Sequence, residues 1–320
     1  MIRWEAHACL LLHPDASFAP IDQLRQAGVN YVSINVGMDL NPLSQVLSVI
    51  AGFRAAIAAA PDRYVLAGGV ADILAAQAGG RIAIGFDLEG AMPLQEQPAM
   101  VALFAALGVR QIHFAYNRNN SVADGCHDVE RGLTPLGVRM VAAVNAAHML
   151  MDCSHTGRRC SLDIMNASGR PVIFSHSNPL ALVEHGRNIS DEQIRACAGT
   201  GGVVCVSGFS RFLGTLAPSA ADVARHAAYV AGLVGVEHAG IGLDMSYKEP
   251  GLSEDPPGPY DPGHWWPRDQ GYGPPPGVAC DPVTAWGALD DALQRCGMTA
   301  GEAELVMGGN MLRVAGQVWA

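Results

Sequence analysis

The sequence predicts an α/β protein, a TIM-like (β/α)8 barrel, on three observations. Short apolar runs rich in β-branched residues alternate with longer helical patterns along the 320 residues. Eight of these runs mostly lack polar alternation, as strands buried on both faces of a parallel sheet do. Histidines and acids gather where the runs end, the edge on which barrels place their chemistry. The same alternation also suits a doubly wound open sheet, which is the rival reading.

The first expected strand, 2–11, carries His7 and Cys9 at i and i+2, hence on one face. A helix over 17–27 opens on Ser17 as cap and stops before Gly28. Strand 31–36 follows, then an Ala- and Ile-rich helix over 42–60 that halts at Pro61. Strand 82–88 leads into Asp87-Leu88-Glu89-Gly90, and strand 111–116 ends in Tyr116-Asn117. A helix over 137–147 follows Thr134-Pro135. Strand 149–153 runs into Asp152-Cys153-Ser154-His155, and strand 172–175 into Ser175-His176-Ser177. Ser190 opens a helix with Gln193 three residues on, a capping box. Strand 202–206, a helix over 220–234 and strand 240–243, ending in Gly242-Leu243-Asp244, complete the eight repeats.

Residues 246–282 break the rhythm with Pro256-Pro257, Pro274-Pro275-Pro276, Tyr260, Trp265, Trp266 and Tyr272. The segment is too long and too proline-rich for a routine connector. Lying after the eighth strand, it reads as a lid or substrate-side wall over the mouth of a barrel. Helical patterns return over 283–295 and 300–307, so the chain reads as one barrel domain, 1–320, with C-terminal helices over 283–320.

Hydrophobic residues make up 49% and charged residues 16%, which excludes a disordered or fibrous chain. The net charge of −10, with no basic stripe, argues against a nucleic-acid partner or an anionic membrane surface. No apolar run approaches the roughly 18 residues of a membrane span, and Met1-Ile2-Arg3-Trp4-Glu5 lacks a signal-peptide pattern. The eight cysteines form no CxxC pair and read as reduced thiols, so a cytoplasmic protein, possible as a homodimer, is expected.

His155, His176 and Glu89 converge from what reads as three adjacent strands. Two histidines and a bridging carboxylate make a Zn²⁺ or binuclear donor set. No G-x-S-x-G elbow and no phosphate-binding glycine fingerprint competes with it. His13-Pro14-Asp15 mimics a ligand pair but lies past the first strand.

Taken together, these segments resemble the peptidase M19, or renal (membrane) dipeptidase, family of zinc hydrolases. The resemblance rests on Asp87-Leu88-Glu89-Gly90, Gly108-Val109-Arg110, Tyr116-Asn117-Arg118-Asn119-Asn120 and Ala123-Asp124-Gly125-Cys126. It continues in Asp152-Cys153-Ser154-His155, the run Pro171 to Asn178, Arg187-Asn188-Ile189-Ser190-Asp191, Gly240 to Asp244, and the terminal Gly309 to Val314. It implies a barrel of the metal-dependent hydrolase type with two zinc ions. Glu89 would bridge them, His155 and His176 would bind one, Arg187 would hold the substrate carboxylate, and Asp244 would contact the substrate amine or the attacking water. Two departures stand out. The family's first strand reads His-x-Asp, whereas here it reads His7-Ala8-Cys9, so a thiol replaces a carboxylate. Dipeptide-hydrolysing members carry a histidine where Tyr116 stands, and Tyr-Asn there resembles a bacterial subgroup.

The expected activity is therefore zinc-dependent hydrolysis, of the EC 3.4.13 type, of dipeptides or related small carboxylate-bearing amides. Glu89, Tyr116 and Asp244 are the catalytic candidates, and Arg187, Tyr116, Asn117 and Asp244 the substrate-binding ones. Glu89, His155, His176, His7 and Cys9 are the candidate ligands for one or two zinc ions. The alternative is a metal-poor member of the fold, either another small-molecule hydrolase or lyase or a non-catalytic binding protein.

Overall fold

Backbone pairing decides between the two candidate architectures. The computed structural model describes residues 1–319. Its strands are β1 (Trp4–Cys9), β2 (Tyr31–Met38), β3 (Tyr64–Leu66), β4 (Ile82–Glu89), β5 (Val109–His113), β6 (Leu150–Asp152), β7 (Val172–Ile173), β8 (Val204–Val206), β9 (Ala239–Ile241) and β10 (Met245–Ser246). Every strand pairing is parallel. One sheet runs β10-β1-β2-β4-β5-β6-β7, with β3 beside β4. A bridge from Phe174 to Val204 carries it on to the β8–β9 pair. β10, which follows β9 directly, pairs Met245 with Ala8 of β1. The ring is therefore closed, and the barrel holds against the open sheet.

The helices between and after the strands are α1 (Ala19–Gln26), α2 (Leu43–Ala59), α3 (Val70–Ala78), α4 (Ala99–Leu107), α5 (Pro135–Ala146), α6 (Arg158–Ala167), α7 (Asp191–Gly199), α8 (Ser210–Leu213), α9 (Ala220–Val234), α10 (Pro262–Trp265), α11 (Pro282–Arg295), α12 (Ala300–Glu304) and α13 (Asn310–Val318). Local chemistry sets several starts. The Thr134 hydroxyl accepts from the Gly137 N–H ahead of α5, and Ser190 and Gln193 cap α7 reciprocally. Among the described residues no helix is long and apolar enough to cross a membrane.

Two apolar layers follow from the closure. The outer one, with Ile34, Phe86, Ile112, Phe104 and Trp286, lies between strands and helices. The inner one, with Trp4, Tyr31, Ala83, Leu150 and Ile173, meets Met311 and Val314 of α13 at the end where the strands begin. Strand alternation places Tyr31, Ser33 and Asn35 on the inner face of β2, and Ala83, Gly85, Asp87 and Glu89 on that of β4. Gly85 is required there, because a Cβ would stand 2.1 Å from the Tyr31 hydroxyl. The interior thus grades from apolar, through hydroxyl and amide, to ionisable at the ends of the strands.

Candidate active site

Glu89, the last residue of β4, is the hub. Its Oε2 accepts from the Asn35 amide of β2. Its Oε1 faces four imidazole nitrogens: His7 Nε2 at 3.4 Å, His113 Nε2 at 3.4 Å, His155 Nε2 at 3.3 Å and His176 Nε2 at 3.6 Å. Among the described residues that oxygen nevertheless has no hydrogen-bond partner, and neither does His176 Nε2. Both lie in a site where Glu89, His7 and His176 are at most 2% exposed. Unmatched polar atoms at this depth are costly unless another group satisfies them.

The far side of each ring explains its aim. His113 Nδ1 donates to the Ser154 carbonyl at 2.7 Å. His155 Nδ1 donates to Asn117 Oδ1 at 2.7 Å, an orientation fixed because Asn117 Nδ2 donates to the Trp265 carbonyl. His176 Nδ1 donates to the Ser175 hydroxyl at 2.7 Å, which itself donates to Asp152. His7 Nδ1 lies 3.2 Å from Asp87 Oδ1. Each neutral ring therefore keeps its hydrogen on Nδ1 and turns the Nε2 lone pair inward. Four lone pairs around an anionic oxygen repel it and one another. Cations placed among them would remove that conflict, so the donor set fits metal ions. Three groups of donors lie close enough together to share an ion: His7, Cys9 and Glu89; His7, His176 and Asp244; and Glu89, His155 and His176.

The electrostatics divide the rings: against burial, Asp87 and Glu89 hold His7 well above the ordinary imidazole range and Glu89 raises His113, whereas the other two are lowered. Burial, reinforced by the Arg187 guanidinium, holds His155 well below the ordinary imidazole range. Burial and the neighbouring His7 do the same to His176. Burial works against charge on Glu89, yet His7, His113 and His155 keep its carboxyl well below the usual range. Burial pushes the Cys9 thiol up to about 12, with His7 opposing at 3.4 Å. Asp244 is raised to about 6 by burial, against the pull of His7. Three of the six non-glycine residues with left-handed backbone, Asn117, His155 and Asp244, stand at this site.

All the residues expected from the sequence meet here, with one shift of place. Cys9, Glu89, Tyr116, His155, Arg187 and Asp244 border a cavity of about 270 Å³. Asn117 does not border it. Its amide is buried and engaged by His155 and Trp265, so it braces the His155 ring and is not open to the cavity. Tyr116 stacks on His155 with ring centres 4.4 Å apart, and its hydroxyl accepts from Trp266 Nε1 at 3.0 Å. Tyr260, Trp266 and Tyr272 of segment 246–282 line the same cavity. Arg187 is 2% exposed, donates to the His176 carbonyl at 3.4 Å and stacks over Phe212, and its Nε has no partner. No carboxylate pairs with it among the described residues. A second cavity, of about 650 Å³, reaches Arg187 and His155 from the side of Asp128 and Glu184. The imitation pair His13 and Asp15 sits apart and outside, at 3.9 Å.

Two sequence expectations need correction. The fourth run ends as a strand at His113, three residues before Tyr116. Glu89, His155 and His176 do not come from adjacent strands, because β5 lies between β4 and β6. That strand supplies His113, which the sequence reading passed over, as it passed over Asn35, while Asp87 was named in its strand-end run but given no role. Placing the strand end correctly would have exposed His113, since Gln111 and His113 share the inward face.

Comparison with known proteins gives the same picture. Residues 16–254 match the model of the family described as membrane dipeptidase (peptidase family M19). Dipeptidase aclJ of Aspergillus oryzae is 30% identical over 266 residues, 81% of this chain and 57% of that one. The chain spans about half the length of the curated relatives it matches. A crystal structure of an amidohydrolase from Pseudomonas aeruginosa superposes with a TM-score of 0.86 at 27% identity, covering 99% of this chain and 96% of that one. A metallopeptidase from Rhodobacter sphaeroides, liganded with a phosphinate mimic of the dipeptide L-Ala-D-Ala, superposes with a TM-score of 0.80 at 18% identity, over 100% of this chain and 99% of that one. At that identity the likeness shows the fold. Sequence match, closed barrel and imidazole–glutamate cluster lead to one conclusion: this chain belongs to the membrane dipeptidase family, peptidase family M19.

Proposed function

We propose that this chain is a metal-dependent hydrolase of dipeptides or small N-acyl amino acids that carry a free carboxylate. The observation that carries the reading is a buried guanidinium, Arg187, without an acidic partner, on the same cavity as the Glu89 cluster. An uncompensated buried cation calls for an anion, and the forked guanidinium fits a carboxylate. Relatives named as dipeptidases, and a fold neighbour bound to a dipeptide mimic, support the same substrate class.

Zinc held by Glu89 with His155 and His176, and by His7 with Cys9, would polarise the scissile carbonyl and make a water easier to deprotonate. The chain's own groups then have distinct tasks. Arg187 orients the substrate by its carboxylate. The Tyr116 oxygen accepts from Trp266, which leaves its O–H free to donate to the carbonyl oxygen of the substrate. Burial, with Glu89 adding to it, pushes the Tyr116 hydroxyl well above its ordinary range and keeps it protonated. Asp244 Oδ1 takes the proton of the attacking water and returns it to the leaving amine. Segment 246–282 acts as a lid on the single barrel domain, with Trp266 and Tyr272 excluding bulk water. The free cysteines suit a reducing cytoplasm.

The test is a panel of dipeptides, N-acyl amino acids and their carboxamides, run with the metal-free chain and after zinc addition. Zinc-dependent hydrolysis confined to the free carboxylates is expected. A zinc-loaded chain that cleaves none of them, or cleaves the carboxamides equally well, refutes the proposal.

A further inference from the structure

The geometry points to His113 as a fourth imidazole ligand of the centre, outside the set of His7, Cys9, Glu89, His155 and His176. The inference rests on reading that centre as a metal site, and it adds a residue that the sequence motifs do not supply.

His113 is the last residue of β5 and the register partner of Glu89. It is 2% exposed and points into the barrel with Gln111, whose amide bonds Asp152 inside it. Its Nδ1 lies 2.7 Å from the Ser154 carbonyl, which can only accept, so Nδ1 carries hydrogen. The Nε2 lone pair of the neutral ring then faces Glu89 Oε1 at 3.4 Å, an anion and no donor. A neutral histidine kept only for packing would meet an N–H or O–H at that nitrogen. The arrangement matches that of His155, which is also pinned through Nδ1 at 2.7 Å and stands 3.3 Å from the same oxygen. The two rings meet edge to face with centres 5.3 Å apart, and the His176 ring is 5.9 Å from that of His113. Four imidazoles thus turn Nε2 towards one oxygen, each with its Nδ1 against an oxygen of a neighbouring residue.

The rival is an imidazolium that only braces Glu89, and metal affinity alone would not separate the two, because bracing residues also weaken binding when removed. Proton NMR of the full chain loaded with Co²⁺ does separate them. Each coordinated imidazole that keeps Nδ1–H contributes one strongly shifted resonance that vanishes in D₂O. Four such resonances are expected in the wild type, with His113→Gln losing one and keeping three. Three in the wild type, unchanged in His113→Gln, would show that His113 is not a ligand while leaving the metal reading intact. No cobalt uptake at all would overturn both. The wild-type count decides the matter even where the variant does not fold.

Discussion

A ring that offers a lone pair to a metal is only as well placed as the group that holds its other nitrogen. For His176 that group is the Ser175 hydroxyl, itself fixed by Asp152. Ser175→Ala leaves Nδ1 without its acceptor and the ring free to turn. Zinc affinity is expected to fall by about 10–100-fold, read by calorimetric titration, and an unchanged affinity would mean that packing alone orients the ring. Arg187 is subject to a different balance. Arg187→Lys keeps the charge and loses the fork, so KM for carboxylate substrates should rise by the equivalent of about 1.5–3 kcal/mol, with carboxamide turnover little changed. Arg187→Met removes an unpaired buried charge and keeps the side-chain volume. It should abolish activity yet raise the thermal midpoint of the substrate-free protein, because buried charges without partners oppose folding. A lowered midpoint would show that the stack on Phe212 and the bond to the His176 carbonyl outweigh that cost.

The weakest seam among the elements lies where the barrel closes. β7 contributes only Val172–Ile173 to the ladder, and a single bridge joins it to β8. Close backbone approach holds this region together. A Cβ on Gly242 would stand 1.9 Å from the Ser175 carbonyl oxygen, a contact that no rotamer can relieve. Gly242→Ala must therefore part the strands just below His176 and Asp244. A loss of about 1–3 kcal/mol is expected from such overpacking, measured by urea unfolding, together with weaker zinc binding. Wild-type stability would mean that the seam yields without strain. The same scale accounts for His113. The run from Gln111 to Tyr116 is apolar enough to read as strand throughout, but pairing with β6 stops at Ile112 and Met151, and the chain then turns to bring the Tyr116 N–H to Asp39 at 2.9 Å.

At the scale of the whole molecule, stability and pH are linked through buried imidazoles remote from the site. His226 of α9 is fully buried, with no hydrogen bond to either ring nitrogen among the described residues, and burial followed by Arg225 lowers it to about 4, against the nearby Leu213 backbone. The unfolded chain takes up this proton near pH 6.5, whereas the folded chain refuses it until about 4. The contribution is complete above pH 6.5 and is lost as pH falls from there towards 4, at up to about 1.4 kcal/mol per pH unit. Asp222 and Arg225 on the same helix are the charges that bear on it. His226→Leu should remove this slope. Urea unfolding of both proteins at pH 7, 6 and 5 is expected to show the variant gaining on the wild type as pH falls, and parallel curves would refute the assignment.

Periodicity by itself determined an α/β chain of buried parallel strands, though it missed β3 at Tyr64–Leu66, and only pairing around the ring chose the barrel over the open sheet. Buried parallel strands must be apolar on both faces, so eight short runs and their helical partners are visible without any contact being known. The rule that chemistry collects at strand ends then picked out Glu89, His155, His176 and Asp244, because it needs only the end of each run. Tertiary structure decided what depends on neighbours far apart in the chain. Asn35 holds Glu89 across 54 residues and Ser154 holds His113 across 41. Asn117 turned from substrate contact to brace because Trp265, 148 residues away, fixes its amide. Short-range pattern carries the identity of a strand, but the partner of a buried hydrogen bond is chosen by closure of the ring, and no spacing along the chain encodes that choice.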